Sequence, residues 1–128
     1  MTKSLVKTLN APPAAGPYSQ GIKVGNLLFV AAQGSFDPRT DKLVGRDVES
    51  QTRQTLENIR AIVDASGFAM SDIVSVSVFL KRPRDFKKMN EVYKTFFPEN
   101  PPTRTTVVAG FVIPGMLLEM NAIACRED

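Results

Sequence analysis

Two stretches decide the fold: PPTRTTVV at residues 101–108 and LLEMNAIA at residues 117–124. The first is a β-branched run that opens on a proline pair, and proline belongs at a strand entrance rather than inside a strand. In the second, apolar and polar residues alternate with the period of a strand. We therefore predict two strands. If they are neighbours in a sheet, Arg104 and Glu119 project into one cleft, which is the candidate site.

Further strand signals lie on the amino-terminal side of these stretches. Residues 4–8 are consistent with an opening strand, and the proline-rich residues 10–17 predict a loop. Two short apolar runs flank Gly25-Asn26, a dipeptide typical of a β-hairpin turn. Residues 73–80, IVSVSVFL, alternate valine with serine and predict another strand. Residues 34–45 predict a loop that leaves the sheet.

Two helices are predicted from apolar residues at helical spacing. The first follows Asp47, a suitable N-cap, and ends near Gly67, a suitable C-terminal cap. The second covers residues 86–97 and is terminated by Pro98. The element order predicts an α+β fold in which two helices cover one face of a mixed sheet.

The second face of that sheet has two interpretations. Three of the predicted strands carry polar residues on one side: Ser75 and Ser77, Arg104 and Thr106, and Glu119 and Asn121. Antiparallel sheets often leave one face in water, so this face is either solvated or packed against other copies of the chain. In the second case, clefts form between subunits.

Composition limits the class of protein. A chain of 128 residues with 43% hydrophobic content suits one domain that spans residues 1–128. The formal charge of +3 permits anionic ligands without requiring nucleic acid. The single cysteine, Cys125, excludes an intramolecular disulfide. Neither a signal peptide nor a membrane span is visible, and we expect a cytoplasmic protein that does not associate with membranes.

Histidine is absent from the sequence. This excludes a Ser-His-Asp triad, a Cys-His pair and a histidine-ligated metal. Cys125 has no visible base partner, which makes a nucleophilic role unfavourable. Acid–base chemistry therefore falls to Glu, Asp, Tyr, Lys or Cys, and we expect neither a metal nor a cofactor.

A series of motifs resembles the reactive intermediate deaminase family, also called the YjgF or RidA family. The series extends from about Asn10 to Ala124 in the order of the family. Its members are GPYSQG at residues 16–21, GNLLFV at 25–30, QTRQTLENI at 51–59, VFL at 78–80, NEVYKTFF at 90–97 and PPTR at 101–104. The resemblance implies a chorismate-mutase-like fold of six strands and two helices, assembled as a homotrimer with three ligand clefts between subunits. It also implies hydrolysis of enamines and imines, such as 2-aminoacrylate and other 2-imino acids, to 2-keto acids and ammonia.

The resemblance assigns roles to individual residues. It places the substrate-carboxylate arginine at Arg104 and the glutamate that positions water or transfers protons at Glu119. Tyr18 and Asn90 match a tyrosine and an asparagine that line the cleft. A guanidinium grips a carboxylate with two parallel charge-assisted hydrogen bonds, each contributing roughly 1.5 to 3 kcal/mol. One positioned acid–base group contributes about 10² to 10⁴ in rate.

The chain also departs from the family pattern. Ala31-Ala32-Gln33 stands where Ser-Gly-Gln is common, although the backbone amide of Ala32 can still meet a carboxylate oxygen. Thr105 and Thr106 replace a serine and a cysteine near Arg104, and Asn121 replaces the second glutamate of a Glu-x-Glu pair. These departures leave carboxylate binding as the expectation, and the substrate range open.

Two other functions compete with deamination. Basic residues near the second predicted helix, from Lys81 to Lys88, suit nucleic-acid binding or ribonuclease action, but no pattern of base-stacking aromatic residues accompanies them. The other alternative is a non-catalytic trimer that binds small carboxylates or regulates a partner enzyme. The loss of the hydroxyl at Ala31 is compatible with that alternative.

Overall fold

A computed structural model describes residues 2–127, and this part of the chain forms six strands and two helices. The strands are β1 (Ser4–Val6), β2 (Gly21–Val24), β3 (Leu27–Gln33), β4 (Ile73–Leu80), β5 (Thr103–Val108) and β6 (Leu118–Cys125). The helices are α1 (Val48–Ala65) and α2 (Phe86–Phe96), and short 3-10 turns precede β4 and α2. The predicted order of strands and helices is confirmed.

Local sequence signals explain where the elements turn and end. Gly25 adopts a φ of +57° between β2 and β3, a conformation that glycine reaches without steric cost. The Asp47 carboxylate accepts a hydrogen bond of 2.7 Å from the Ser50 N–H and caps α1, which lowers the pKa of Asp47. Gly67, with a φ of +80°, follows the end of α1. The predicted hairpin and helix caps are confirmed.

The sheet has the strand order β1-β2-β3-β6-β4-β5. Among the strands of residues 2–127, only β4 and β5 are parallel and every other neighbouring pair is antiparallel, so the sheet is mixed. The expected cleft between Arg104 and Glu119 required their strands, β5 and β6, to be neighbours in the sheet. This is wrong, because β4 lies between them. A parallel pair requires a crossover connection, and α2 with its flanking loops makes the crossover from β4 to β5.

Both helices cover the same face of the sheet. On β4 and β6, alternate residues such as Val76, Val78, Leu118 and Met120 are almost completely buried beneath the helices. The helices add the other half of the core, mainly from Leu56, Ile59, Ile62, Val63, Met89 and Val92. No helix within residues 2–127 is long and apolar enough to cross a membrane.

The register of β5 corrects the expected distribution of polar residues. Arg104 is opposite Val76 and Thr106 is opposite Val78, so both lie on the side of the sheet that the helices cover. Ser75, Ser77, Glu119 and Asn121 lie on the other side, which we call the second face. Placing Arg104 and Thr106 on the second face is therefore wrong.

Candidate active site

A cavity of about 260 Å³ lies beside Glu119, and we call it the glutamate pocket. The loop before β2, the end of β3 with the loop that follows it, and the loop between β5 and β6 form its walls. It is lined by Pro12, Pro13, Ala15, Tyr18, Gln20, Ala32, Gln33, Gly34, Phe36, Asp41, Gly110, Phe111, Val112, Ile113, Met116 and Glu119. Three of the predicted site residues, Tyr18, Ala32 and Glu119, thus share one cavity. Its lining contains no lysine or arginine.

Glu119 is the candidate acid–base group of this pocket. Its side chain is partly buried, and this burial raises the pKa of Glu119 above the ordinary value of 4.5. Within residues 2–127, Glu119 forms no salt bridge. A carboxyl group with a raised pKa and no cationic partner is suited to exchange protons with a bound molecule or water.

Tyr18 and Ala32 form the rim of the glutamate pocket. Tyr18 is 51% exposed, and its hydroxyl accepts a hydrogen bond of 3.1 Å from the Ala15 N–H. Ala32 lies in a β-bulge, because the register of β3 against β6 shifts between Val30 and Gln33. A bulge removes a residue from the regular ladder and often aims it at a binding site. The expectation that the Ala32 backbone faces a ligand is compatible with this position.

Buried glutamine and asparagine side chains hold the walls of the pocket. Gln20 accepts a hydrogen bond from the Thr8 N–H at 2.7 Å and donates to the Pro12 carbonyl at 2.8 Å, which fixes the loop before β2. Asn58 of α1 donates to the carbonyls of Gly34 and Phe36 at 3.0 and 2.9 Å. These residues belong to the motifs GPYSQG and QTRQTLENI, but the sequence reasoning gave them no role.

Gln51 of α1 holds the loop between β5 and β6. Its side-chain amide donates to the carbonyls of Gly45 and Gly115 at 3.1 and 2.9 Å, and its oxygen accepts from the Leu117 N–H at 2.8 Å. Gln51 is completely buried, so these hydrogen bonds cannot be exchanged for water. The signal that could have revealed it was a polar residue at a core position of an amphipathic helix.

Arg104 lies in a separate group of side chains between β5 and α2, which we call the arginine cluster: Arg104, Phe86 and Tyr93. The guanidinium carbon is 4.7 Å from the centre of the Tyr93 ring and 5.5 Å from that of Phe86. Arg104 forms no salt bridge within residues 2–127. Asn90 and Tyr93 are one turn apart on α2, and the Asn90 Oδ1 and the Tyr93 hydroxyl are buried without a hydrogen-bond partner in that range. Such groups are rare in native structures.

One chain therefore separates the predicted site residues into two halves. Thr106 belongs to the side of Arg104, whereas Tyr18, Ala32 and Glu119 meet in the glutamate pocket. The expectation that Arg104 and Glu119 project into one cleft through adjacent strands is wrong for a single chain. Alternation along a strand shows which residues share one side of that strand. It does not show which of the two sides faces the helices.

Metal-binding groups do not gather in either half. In the part of the chain from residue 2 to residue 127, no three His, Cys, Asp or Glu side chains are close enough together to hold a metal ion. The chemistry that these two halves offer is charge recognition by a guanidinium and proton transfer by a carboxyl group.

Comparison with known proteins identifies the family. A family model described as endoribonuclease L-PSP matches residues 8–126. The chain belongs to the endoribonuclease L-PSP family. A RutC family protein of Pyrococcus horikoshii is 47% identical over 125 residues, which cover 98% of this chain and 99% of that protein. The resemblance to the reactive intermediate deaminases that the motifs indicated is confirmed by the relatives that follow.

Several relatives of this L-PSP family chain have names or titles that refer to chemistry or a ligand. A Salmonella typhimurium protein named 2-iminobutanoate/2-iminopropanoate deaminase is 40% identical over 130 residues, covering 99% of this chain and 100% of that protein. A crystal structure of Escherichia coli TdcF with bound serine superposes with a TM-score of 0.92 at 38% identity, covering 97% of this chain and 99% of that one. The fold is therefore that of the L-PSP family.

Proposed function

We propose that the protein hydrolyses reactive enamines and imines, of the type of 2-aminoacrylate and other 2-imino acids, to 2-keto acids and ammonia. The observation that carries this proposal is the complementarity of the two half-sites. The glutamate pocket has a proton-transfer group but no cation, and the arginine cluster has an unpaired cation but no carboxylate. A molecule with a carboxylate at one end and a C=N bond at the other satisfies both halves.

Arg104 binds the substrate carboxylate in this mechanism. Its planar guanidinium donates two parallel hydrogen bonds to the carboxylate oxygens, which fixes the position of the neighbouring C2 atom. In this proposal the Ala32 N–H, which lies in the bulge of β3, donates to the same carboxylate. Binding through a fixed fork orients the imine carbon relative to a water molecule, and orientation is a large part of the catalysis of such an addition.

Glu119 moves the protons. Its carboxylate accepts a proton from water as the oxygen adds to C2 of the iminium, which gives a carbinolamine. The protonated Glu119 then donates to nitrogen and the C–N bond breaks. Ammonia leaves as the C2=O bond forms, and the regenerated Glu119 carboxylate accepts the proton of the hydroxyl group. An enamine enters the same route after protonation at C3. No covalent nucleophile is required because an iminium carbon is already electrophilic.

We propose that the working unit is a homotrimer whose subunits join the two halves. The support is an apolar row across the second face, formed by Leu5, Ile22, Phe29 and Ile123, which are direct neighbours on adjacent strands. Leu5 and Phe29 are 66% and 42% exposed in the single chain. A contiguous apolar face of this kind marks an interaction surface, and closed symmetric assemblies are the usual way to bury it.

The test generates 2-imino acids with an amino-acid oxidase, traps them with semicarbazide, and measures how far added protein suppresses the trapped product. Wild type should suppress trapping, and Arg104→Ala and Glu119→Gln should each lose that effect while retaining the assembly state of the wild type. Absence of suppression by correctly folded wild type, across imino acids of several sizes, would contradict the deaminase function. Carboxylate binding without turnover would then identify the non-catalytic alternative.

A further inference from the structure

The arginine cluster contains a feature that the proposed chemistry does not use, which is the aromatic surface beneath Arg104. β5 is an edge strand of the sheet, so no further strand supports Arg104 on its outer side. The support comes from α2, whose Tyr93 and Phe86 rings lie 4.7 and 5.5 Å from the guanidinium carbon. Both distances are within the range over which a cation is attracted to an aromatic ring.

Tyr93 is held more firmly than the arginine that it contacts. Only 6% of Tyr93 is exposed, and its ring packs against that of Phe97 with centres 4.7 Å apart. Burial raises the pKa of Tyr93 to about 12, although the positive charge of Arg104 acts in the opposite direction. Tyr93 therefore presents the face of a neutral phenol ring, fixed by the core, to a side chain that has several rotatable bonds.

The ring rather than the hydroxyl of Tyr93 makes the observed contact. The Tyr93 hydroxyl is buried and has no hydrogen-bond partner within residues 2–127. An unpaired buried hydroxyl opposes folding, so its removal does not cost stability. The tyrosine ring, in contrast, limits the positions of the guanidinium, and ordering a flexible group before binding reduces the entropy lost when the ligand arrives.

We propose that Tyr93, assisted by Phe86, is a positioning residue that holds the Arg104 guanidinium in the orientation that receives a carboxylate. This inference rests on the proposed function, because it assumes that Arg104 binds the substrate carboxylate. Tyr93 acts through Arg104 and does not itself touch the reacting atoms. Its removal therefore weakens the binding of carboxylates and leaves the proton transfers at Glu119 unchanged.

The experiment compares Tyr93→Phe, which keeps the ring, with Tyr93→Leu, which removes it. Calorimetric titration measures the binding of 2-oxobutanoate and of its neutral amide, 2-oxobutanamide, to each variant. We expect Tyr93→Phe to bind 2-oxobutanoate as wild type does, and Tyr93→Leu to bind it about 2- to 30-fold more weakly, the range of a cation–π contact. Binding of the amide should not change. In steady-state assays, Tyr93→Leu should raise KM for imino acids and leave kcat nearly constant.

A second substitution covers the case in which Tyr93→Leu does not fold. Phe86 is 44% exposed, so Phe86→Leu disturbs the core little, and it should weaken 2-oxobutanoate binding by a smaller factor than Tyr93→Leu. Unchanged carboxylate binding in Tyr93→Leu would overturn the inference, as would an equal loss in Tyr93→Phe or an equal loss for the amide. For Phe86→Leu, unchanged carboxylate binding or an equal loss for the amide would likewise overturn the inference. If wild type binds both ligands equally weakly, the proposed carboxylate site fails, and the inference fails with it.

Discussion

Arg104 and Glu119 lie on opposite faces of the same sheet, with β4 between their strands. Glu119 is opposite Phe79 of β4, whereas Arg104 is opposite Val76, three residues earlier on β4. Two strand spacings therefore separate their backbones by about 10 Å across the sheet, and three residues add about 10 Å along it. Because the side chains also point away from each other, the pair can meet only if each chain contributes one residue to a shared site.

This geometry predicts complementation between inactive variants. Arg104→Ala and Glu119→Gln should each be inactive as pure proteins, with kcat lowered about 10²- to 10⁴-fold in the case of Glu119→Gln. Refolded together in equal amounts, they should regain about a quarter of the wild-type activity, because that share of sites receives both native residues in a closed ring. The measurement is the rate of imine hydrolysis in the mixture.

The matched control for this mixture is the double variant. Arg104→Ala refolded with the Arg104→Ala/Glu119→Gln double variant contains no Arg104 and should stay inactive at every ratio. A mixture of the two single variants that remains as inactive as its components, although mass analysis shows mixed assemblies, would contradict a site shared between chains.

The raised pKa of Glu119 predicts the pH dependence of turnover. The carboxylate form accepts the proton of the attacking water, so the catalysed rate should rise with pH through the pKa of Glu119. Burial raises this pKa, and the acidic limb should therefore have its midpoint above the ordinary value of 4.5. Initial rates from pH 4 to pH 8, corrected for the uncatalysed hydrolysis at each pH, measure it. A midpoint at or below 4.5 would be inconsistent with Glu119 as the base.

The raised pKa of Glu119 also affects stability, and in the opposite direction: stability falls as pH rises, whereas the catalysed rate increases. The pKa of Glu119 is higher in the folded chain than in the unfolded chain, so folding favours the protonated form. The resulting stability is fully present below pH 4.5 and is lost as pH rises through the folded pKa. Glu119→Gln is always neutral, and denaturant titrations of this variant should show less loss of stability between pH 4.5 and pH 7 than wild type. An identical pH dependence in both proteins would contradict the shift.

Most of the fold could be predicted because it is encoded in local patterns. The alternation of valine and serine in residues 73–80, the turn at Gly25-Asn26 and the cap at Asp47 each act within a few residues, and each was confirmed. The strand order could not be predicted in this way. The insertion of β6 between β3 and β4 depends on which hydrophobic faces fit together, and no single stretch of sequence contains that information.

The candidate site, like the fold, could be predicted only in part. The glutamate pocket, which forms around a bulge and three loops that follow strand ends, brings Tyr18, Ala32 and Glu119 together. Arg104 was assigned to the wrong face because β5 has threonine and valine on both sides, so its pattern does not distinguish a buried side from an exposed one. Polar core residues such as Gln51 were missed because helical periodicity alone treats them as surface.

The apolar row on the second face predicts that one added charge prevents assembly. Phe29→Lys should give a monomer, because burying an unpaired ammonium between subunits costs several kcal/mol. Asp64→Lys adds the same side chain at an exposed position of α1, outside the row, and should assemble as wild type does. Sedimentation velocity of the three proteins at equal concentration distinguishes them. A monomeric wild type, or a Phe29→Lys variant with the wild-type sedimentation coefficient, would show that this face is not the interface.

The buried polar side chains of α1 predict opposite effects from two neighbouring substitutions. Gln51→Leu leaves the Gly45 and Gly115 carbonyls and the Leu117 N–H without partners, and the free energy of unfolding should fall by about 2 to 5 kcal/mol. Thr55→Val is the matched control one turn later. The Thr55 hydroxyl is buried without a partner within residues 2–127, so its removal should leave stability unchanged or raise it by up to about 1 kcal/mol. Urea titrations at one protein concentration compare the variants, and equal losses in both would show that the hydrogen bonds of Gln51 do not hold the loop.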